Sequence, residues 1–396
     1  MVSSFCRKVT CLVLGGNYSF FDLFLLLRFW VSKHKRYVYH KKKNSKWAYI
    51  SYLPEPYYRS KDKLFLSAHQ NRRESIVIGE VLAELGYNYV VEQFNSGFCD
   101  NNGGYDLVFG HEPNFVKMAQ RNPRAIKIYY STGANWSYQN EIIKRRTKEF
   151  SYSHHLKALE HRLVTPHTGY DMADYILQIG TGYTLETFPD KYRKKITLIN
   201  QSSNLIKNPS LDIKLASIKL NNYLWIGGGG SILKGIDLVI DYFVKNEDLV
   251  LHIIGNIDSD INEYYSGVLK KSKNILVHGF LDINSDKFAH IAYQSAFNIY
   301  PSGSEGGVPG SVIAAMKFGV IPLTFRYSSP NDIDVLGYQI RSLDNAGIKE
   351  AIDWTCNLSY SFVCLLVEKN MAYSAEKWTL ESYKSEFKNF IIKYTK

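Results

Sequence analysis

At 396 residues the chain exceeds a typical single domain, so two domains are expected. With 45% hydrophobic and 21% charged residues the composition is that of a soluble globular protein, and it excludes a low-complexity or fixed-period repeat architecture. The net charge of +11 points to anionic partners: nucleic acid, a membrane surface or phosphorylated substrates.

The N-terminal segment, residues 1–45, is apolar and then basic. Residues 9–21 carry no charge, a run short of the ~20 residues a membrane span needs. No small-residue cleavage site follows, so a secretory signal fits poorly. Lys33, Lys35, Arg36, Lys41, Lys42, Lys43 and Lys46 come next. This order suits either a segment lying on an anionic membrane face or a buried helix followed by a solvated charge run. The five cysteines (Cys6, Cys11, Cys99, Cys356, Cys364) are scattered and form no C-x-x-C pair. That spacing argues against a disulfide framework or structural zinc, and fits a reducing, cytoplasmic compartment.

Beyond residue 46, short β-rich apolar runs alternate with helical stretches. Residues 47–53 read as a strand ended by Pro54 and Pro56, and 64–68 is a second short apolar run. Residues 72–85 have helical spacing and stop at Gly86. Strands follow at 88–94, 106–110, 125–130, 175–179 and 196–199. A second series begins near Asn222, with strands at 223–226, 249–254, 274–280, 297–300 and 320–325, and helices at 236–244 and 310–318. Near-continuous apolar strands between helices indicate parallel sheets covered on both faces. The pattern predicts an α/β protein with two Rossmann-like domains, 46–205 and 206–373, joined in the polar stretch 203–217. A last helix, 374–396, is expected to pack back on the first domain.

In open α/β sheets ligands bind beyond the carboxyl ends of the strands. Two segments there carry chemistry. The first is YPSGSEGGVPGSVIAAMKFGVIP, residues 300–322: a strand, a glycine-rich turn with Glu305, then a helix. Gly306, Gly307 and Gly310 allow close backbone approach, and free amides at a helix start suit a diphosphate. Glu305 can accept hydrogen bonds from sugar hydroxyls, or simply stabilise the helix start. The second is WIGGGGSILKGID, residues 225–237, where Lys234 after four glycines can neutralise a diphosphate leaving group or be merely solvated. No Gly-Lys-Ser/Thr occurs, so this is no Walker A loop.

Together these segments resemble the C-terminal domain of retaining GT-B glycosyltransferases of family 4. The matching residues are Lys234-Gly235, Pro301-Ser302, Glu305-Gly306, Pro309, Ala315-Met316 and Gly319-Val320-Ile321-Pro322. More loosely, the first half looks like sugar transferases of bacterial surface-glycan pathways, through His69-Gln70-Asn71-Arg72-Arg73-Glu74, Gly86-Tyr87-Asn88, Tyr105-Asp106 and Tyr130-Ser131-Thr132-Gly133. The resemblance implies a GT-B fold with two parallel sheets facing across a cleft. It implies transfer of a sugar from a nucleotide-diphosphate-sugar donor to a glycan or lipid-linked acceptor, retaining and without a metal or other cofactor. Glu305, Lys234 and His111 would be catalytic. Gly229, Gly230, Ser231, Lys234, Glu305, Gly306, Gly307 and Val308 would bind the donor, and Asn71 and Glu74 would line the acceptor side.

Two departures stand out. The family's second Glu, eight residues after the first, is replaced by Ile313 (or by Ala314, aligned on the Ala-Met pair), and the Arg five residues before the Lys is Gly229. Diphosphate binding would then lean on Lys234, backbone amides and another basic residue. The lost Glu also keeps open a non-catalytic GT-B protein that binds glycan or assists a partner. Asp258-Ser259-Asp260 matches the metal-binding D-x-D pattern but sits where a helix-capping role is expected. His154, His155, His161 and His167 lack metal-site spacing, so no metal is expected. Nucleic acid is not an expected partner, because no recognition module accompanies the basic excess.

Overall fold

The computed structural model describes residues 20–32, 35–101, 103–204 and 207–395; residues 1–19, with Cys6 and Cys11, lie outside the described residues. The first sheet has seven strands: β1 (Arg36–Tyr39), β2 (Lys46–Tyr52), β3 (Tyr87–Gln93), β4 (Leu107–Gly110), β5 (Ile126–Ser131), β6 (Tyr175–Ile179) and β7 (Ile196–Ile199). Their order is β1-β3-β2-β4-β5-β6-β7. All neighbours are parallel except β1, which pairs antiparallel with β3. The basic run therefore holds an edge strand, a correction to the all-parallel expectation. Charged side chains on an edge discourage further strand pairing.

The helices that position this half are α1 (Phe20–Val31), α2 (Lys63–Ser67), α3 (Gln70–Glu84) and α4 (Trp136–Ser153). The apolar run at 64–68 is thus helical. Asp62 caps it through Phe65 N at 2.9 Å, and the guanidinium groups of Arg59 and Arg72 cover the Phe65 ring at 3.8 and 4.0 Å.

The second sheet has β8 (Lys219–Gly227), β9 (Val250–Gly255), β10 (Ile275–Gly279), β11 (Ser295–Tyr300), β12 (Ile321–Phe325) and β13 (Tyr338–Ile340), all parallel, in the order β10-β9-β8-β11-β12-β13. Helices α5 (Ile236–Phe243), α6 (Ser259–Lys271) and α7 (Gly310–Lys317) cover it. The chain closes with α8 (Tyr360–Lys377) and α9 (Leu380–Thr395) rather than one helix over 374–396. α8 packs on the second sheet's core through Val363, Leu366 and Val367. α9 returns to the first, burying Tyr383, Phe387, Phe390 and Ile391.

Both sheets reverse winding direction once, the first between β2 and β4, the second between β8 and β11. The loops after strands at such a reversal are the usual ligand position of an open α/β sheet. The loop after β11 meets the loops after β5 and β6: a methyl group on Gly306 would collide with Thr132 O, and one on Gly307 would lie 2.7 Å from Gly180 Cα. The carboxyl ends of the two sheets therefore face each other. Among the described residues no helix is long and apolar enough to cross a membrane.

Candidate functional site

Lys234 and Glu305 leave the sheet on the two sides of the second switch point. The loop after β8 carries Lys234, and the loop after β11 carries Glu305. The two loops are laced together. Gly303 N donates to Leu233 O at 2.9 Å, and Gly235, at φ +66°, lies so close to Pro301 that an added Cβ would come within 2.7 Å of its carbonyl oxygen. Only glycine suits that conformation and that space.

Lys234 is 8% exposed, and its Nζ donates to Gly228 O at 3.3 Å. Burial holds its ammonium below the ordinary lysine range, while Glu305 pulls it back up, Arg162 pushes it down and Asp258 raises it. Glu305 Oε1 accepts from Tyr300 OH at 2.9 Å and Ser302 Oγ at 3.1 Å. These hydroxyls fix the carboxylate and leave Oε2 without a hydrogen bond from the described residues. The arrangement is a buried cation and an oriented acceptor that act on each other electrostatically.

The glycine loop is arranged differently from expectation. Gly230 N and Ser231 N both donate to Asp258 Oδ2, at 2.9 and 2.7 Å, and Asp258 N returns a bond to Ser231 Oγ at 2.7 Å. Asp258 makes no side-chain cap on its own helix α6. It closes the glycine loop instead, so the amides expected to meet phosphate already hold a carboxylate, and Gly229 lies against the same side chain. Asp260 reaches the first lobe, accepting from Leu159 N at 2.9 Å and His161 Nε2 at 2.8 Å. Gly306 and Gly307 serve close approach, but what approaches them is the opposite lobe. Val308 is buried, and its carbonyl accepts from Gln201 Nε2.

On the first lobe His111 follows β4, beside the first switch point. Its ring lies 5.2 Å from Tyr52 and 5.5 Å from Tyr130, and its nitrogens make no hydrogen bond with the described residues. Burial lowers its pKa to about 4, with Glu112 opposing and His167 assisting, so it is neutral at pH 7. Next to it Glu112 takes the Tyr129 hydroxyl and lies 3.6 Å from His167 Nε2. This Glu-Tyr-His group has no sequence signal, since its members come together from three separate loops and strands. Asn71 sits in the first turn of α3, its backbone N 3.4 Å from His69 Nδ1. Glu74 is 2% exposed and accepts from Ser202 N and Oγ at 2.6 and 2.9 Å, which ties α3 to the inter-lobe linker rather than to the crevice. Among the described residues no group of three or more His, Cys, Asp or Glu is placed to hold a metal ion.

No protein-family model matches the chain, and no curated protein does. Solved structures do. Alr3699/HepE from Anabaena, in complex with UDP and glucose, superposes with a TM-score of 0.53 at 11% identity, over 88% of this chain and 99% of that one. WaaG, a glycosyltransferase involved in lipopolysaccharide biosynthesis, gives 0.53 at 12% identity, over 87% and 99%. The HepE complex with UDP-glucose gives 0.51 at 12% identity, over 73% and 79%. The fold is GT-B, as the family resemblance implied.

Proposed function

We propose that the chain is a nucleotide-sugar glycosyltransferase that moves a sugar from a nucleoside-diphosphate donor to a glycan or lipid-linked acceptor in surface polysaccharide synthesis. The observation that carries this reading is the meeting of Lys234 and Glu305 at the switch point of the second sheet. A departing diphosphate gains negative charge, which a preorganised ammonium in a water-poor crevice stabilises more than water would. Glu305 Oε2 is the acceptor for a hydroxyl of the transferred sugar. His111, neutral and unpaired, faces the reaction from the first lobe. Structures sharing the fold bind UDP-glucose, or UDP with glucose, which supports a nucleotide sugar as donor.

Retention of configuration and independence of metal belong to the same proposal. So does a cytoplasmic position against the inner face of a membrane, supported by the apolar face of α1 and the basic residues after it. A second reading has its own support: Asp258 on the Gly230 and Ser231 amides, with Ile313 in place of a carboxylate, describes a site that binds donor without turning it over.

One experiment separates them. Incubated with UDP-glucose, UDP-galactose, UDP-N-acetylglucosamine and GDP-mannose, the chain releases nucleoside diphosphate from one donor. Glu305→Ala abolishes release with an unchanged unfolding temperature, and Lys234→Ala weakens donor binding at least tenfold. Donor binding without release by the unaltered chain establishes the second reading, and full turnover by Glu305→Ala removes that residue from the mechanism.

A further inference from the structure

The segment between α4 and β6 leaves the first lobe and lies along the second. His154 Nε2 reaches Asp241 at 3.0 Å, Leu159 N and His161 Nε2 reach Asp260, and Ala158 belongs to the second sheet's core. Arg162 lies at the end of this crossing, with φ at +66°. A left-handed conformation on a residue with a Cβ is unfavourable and persists only where the surroundings impose it. The surroundings here do. Arg162 O accepts from Gln139 Nε2 at 3.0 Å, its neighbour His161 is fixed on Asp260, and Val164 is held both ways by Asn140 at 2.8 Å.

What this backbone holds in place is the side chain. The aliphatic stem of Arg162 lies on Gly230, where an added Cβ would stand 2.5 Å from Arg162 Cδ. The guanidinium acts electrostatically on Lys234 and on the Tyr300 hydroxyl that holds Glu305. It makes no ion pair or side-chain hydrogen bond with any described residue. Of the neighbouring carboxylates, Asp258 is held by two amides, and Glu305 is held by two hydroxyls at Oε1, with no bond from either to the guanidinium. Two cations that repel each other thus lie around one glycine loop: Lys234 is buried, while Arg162 is exposed and its donor fork has no partner among the described residues.

We infer that Arg162, delivered from the first lobe, is the second cation of the donor's diphosphate seat and clasps the phosphates opposite Lys234. A planar guanidinium offers paired N–H groups that match phosphate oxygens, while Lys234 contributes a buried point charge. With the amides of Gly230 and Ser231 closed by Asp258, this fork replaces the backbone donors that a glycine loop usually offers. The inference rests on the nucleotide-sugar reading. It also makes the donor seat a joint product of both lobes, complete only while the 154–164 crossing is docked.

The test is calorimetric titration of the full chain with UDP, ADP, GDP and CDP, and then with the nucleoside of the tightest binder. Arg162→Met keeps the stem on Gly230 and removes the fork. It should weaken the diphosphate at least tenfold, leave the nucleoside unchanged and flatten the salt dependence of binding; Arg162→Lys should recover part of the loss. Diphosphate affinity unchanged in Arg162→Met overturns the inference alone. Equal weakening of diphosphate and nucleoside also overturns it, as a merely structural role would. If the unaltered chain binds none of the four diphosphates, the nucleotide-sugar reading falls and this inference with it.

Discussion

Glu74 carries a carboxylate that is 2% exposed and whose pKa burial raises to about 7, against the lowering effect of its Ser202 bonds and of Arg73. The unfolded value is near 4.5. The folded protein thus prefers the protonated acid, and this group favours folding most below pH 4.5. That advantage is lost as pH rises from 4.5 through 7. The shift sets an upper bound of about 3 kcal/mol. Glu74→Gln keeps an acceptor for Ser202 and should remove this slope, leaving the variant more stable than the parent at pH 8 by about 1–2 kcal/mol; urea unfolding at pH 5 and pH 8 measures it. An identical pH slope in both proteins would show that Glu74 is not the titrating group. The residue illustrates what a sequence conveys at this scale. Its position at a helix start, within a stretch resembling sugar transferases, suggests an acceptor-side carboxylate. Its actual partner lies 128 positions away, in the linker, and no local pattern encodes that. The placement of Lys234 and Glu305 is legible for the opposite reason: each lies in the loop after a strand beside a switch point, and that position is written in short-range pattern. Arg162 has no motif around it and needs the fold to be seen.

The central strands are readable because they bury both faces and so become short apolar runs, as in 175–179, whose bounds match β6; 196–199 matches the edge strand β7, apolar in sequence although only Ile199 is fully buried. Helices are harder. α4 reads WSYQNEIIKRRTKEFSYS, polar by composition, and the apolar side chains it buries meet the opposite lobe: Ile142 and Ile143 pack with Leu233, and Phe150 enters the second core. α1 poses the reverse problem. Leu26 and Phe29 are buried near Tyr58 and Trp30, while Phe24, Leu27 and Val31 stay 53%, 37% and 75% exposed, in i, i+3, i+7 order. Lys35, Arg36 and Lys41 to Lys43 follow at once. An apolar stripe beside a basic cluster suits adsorption on anionic lipid, each cation near the surface adding about 1 kcal/mol. Sedimentation with vesicles containing phosphatidylserine should therefore capture the chain, and Phe24→Ser with Val31→Ser should reduce capture several-fold at unchanged nucleotide affinity. Capture that is equal for the variant, or absent at low salt, removes the membrane proposal.

At the scale of the molecule, two Rossmann-like halves are foretold by two runs of strand and helix, but their mutual placement is not, since it depends on pairs far apart in sequence. The strongest of these is Arg146 Nη2 to Asp237 Oδ2 at 2.7 Å, with side chains only 5% and 3% exposed. It joins α4 to the first turn of α5, just past Lys234, and Asp241 on the same helix holds His154. Removing one partner of a buried pair strands the other charge, which costs about 3–5 kcal/mol, whereas replacing both by apolar groups of similar size is often neutral. Arg146→Ala should therefore lower the unfolding midpoint sharply and separate the single transition of the whole chain into two, one for each sheet. Arg146→Met combined with Asp237→Leu should restore most of the midpoint and a single transition in calorimetry. A pair that only bound the helices loosely would give single and double variants with the same small loss. Because α4 also carries Gln139 and Asn140, which fix the backbone at Arg162 and Val164, the docking of α4 on the second lobe also brings the arginine to Gly230. The Arg146→Ala chain should then bind nucleoside diphosphate more weakly even below its unfolding midpoint, and the double variant should bind it as the parent does.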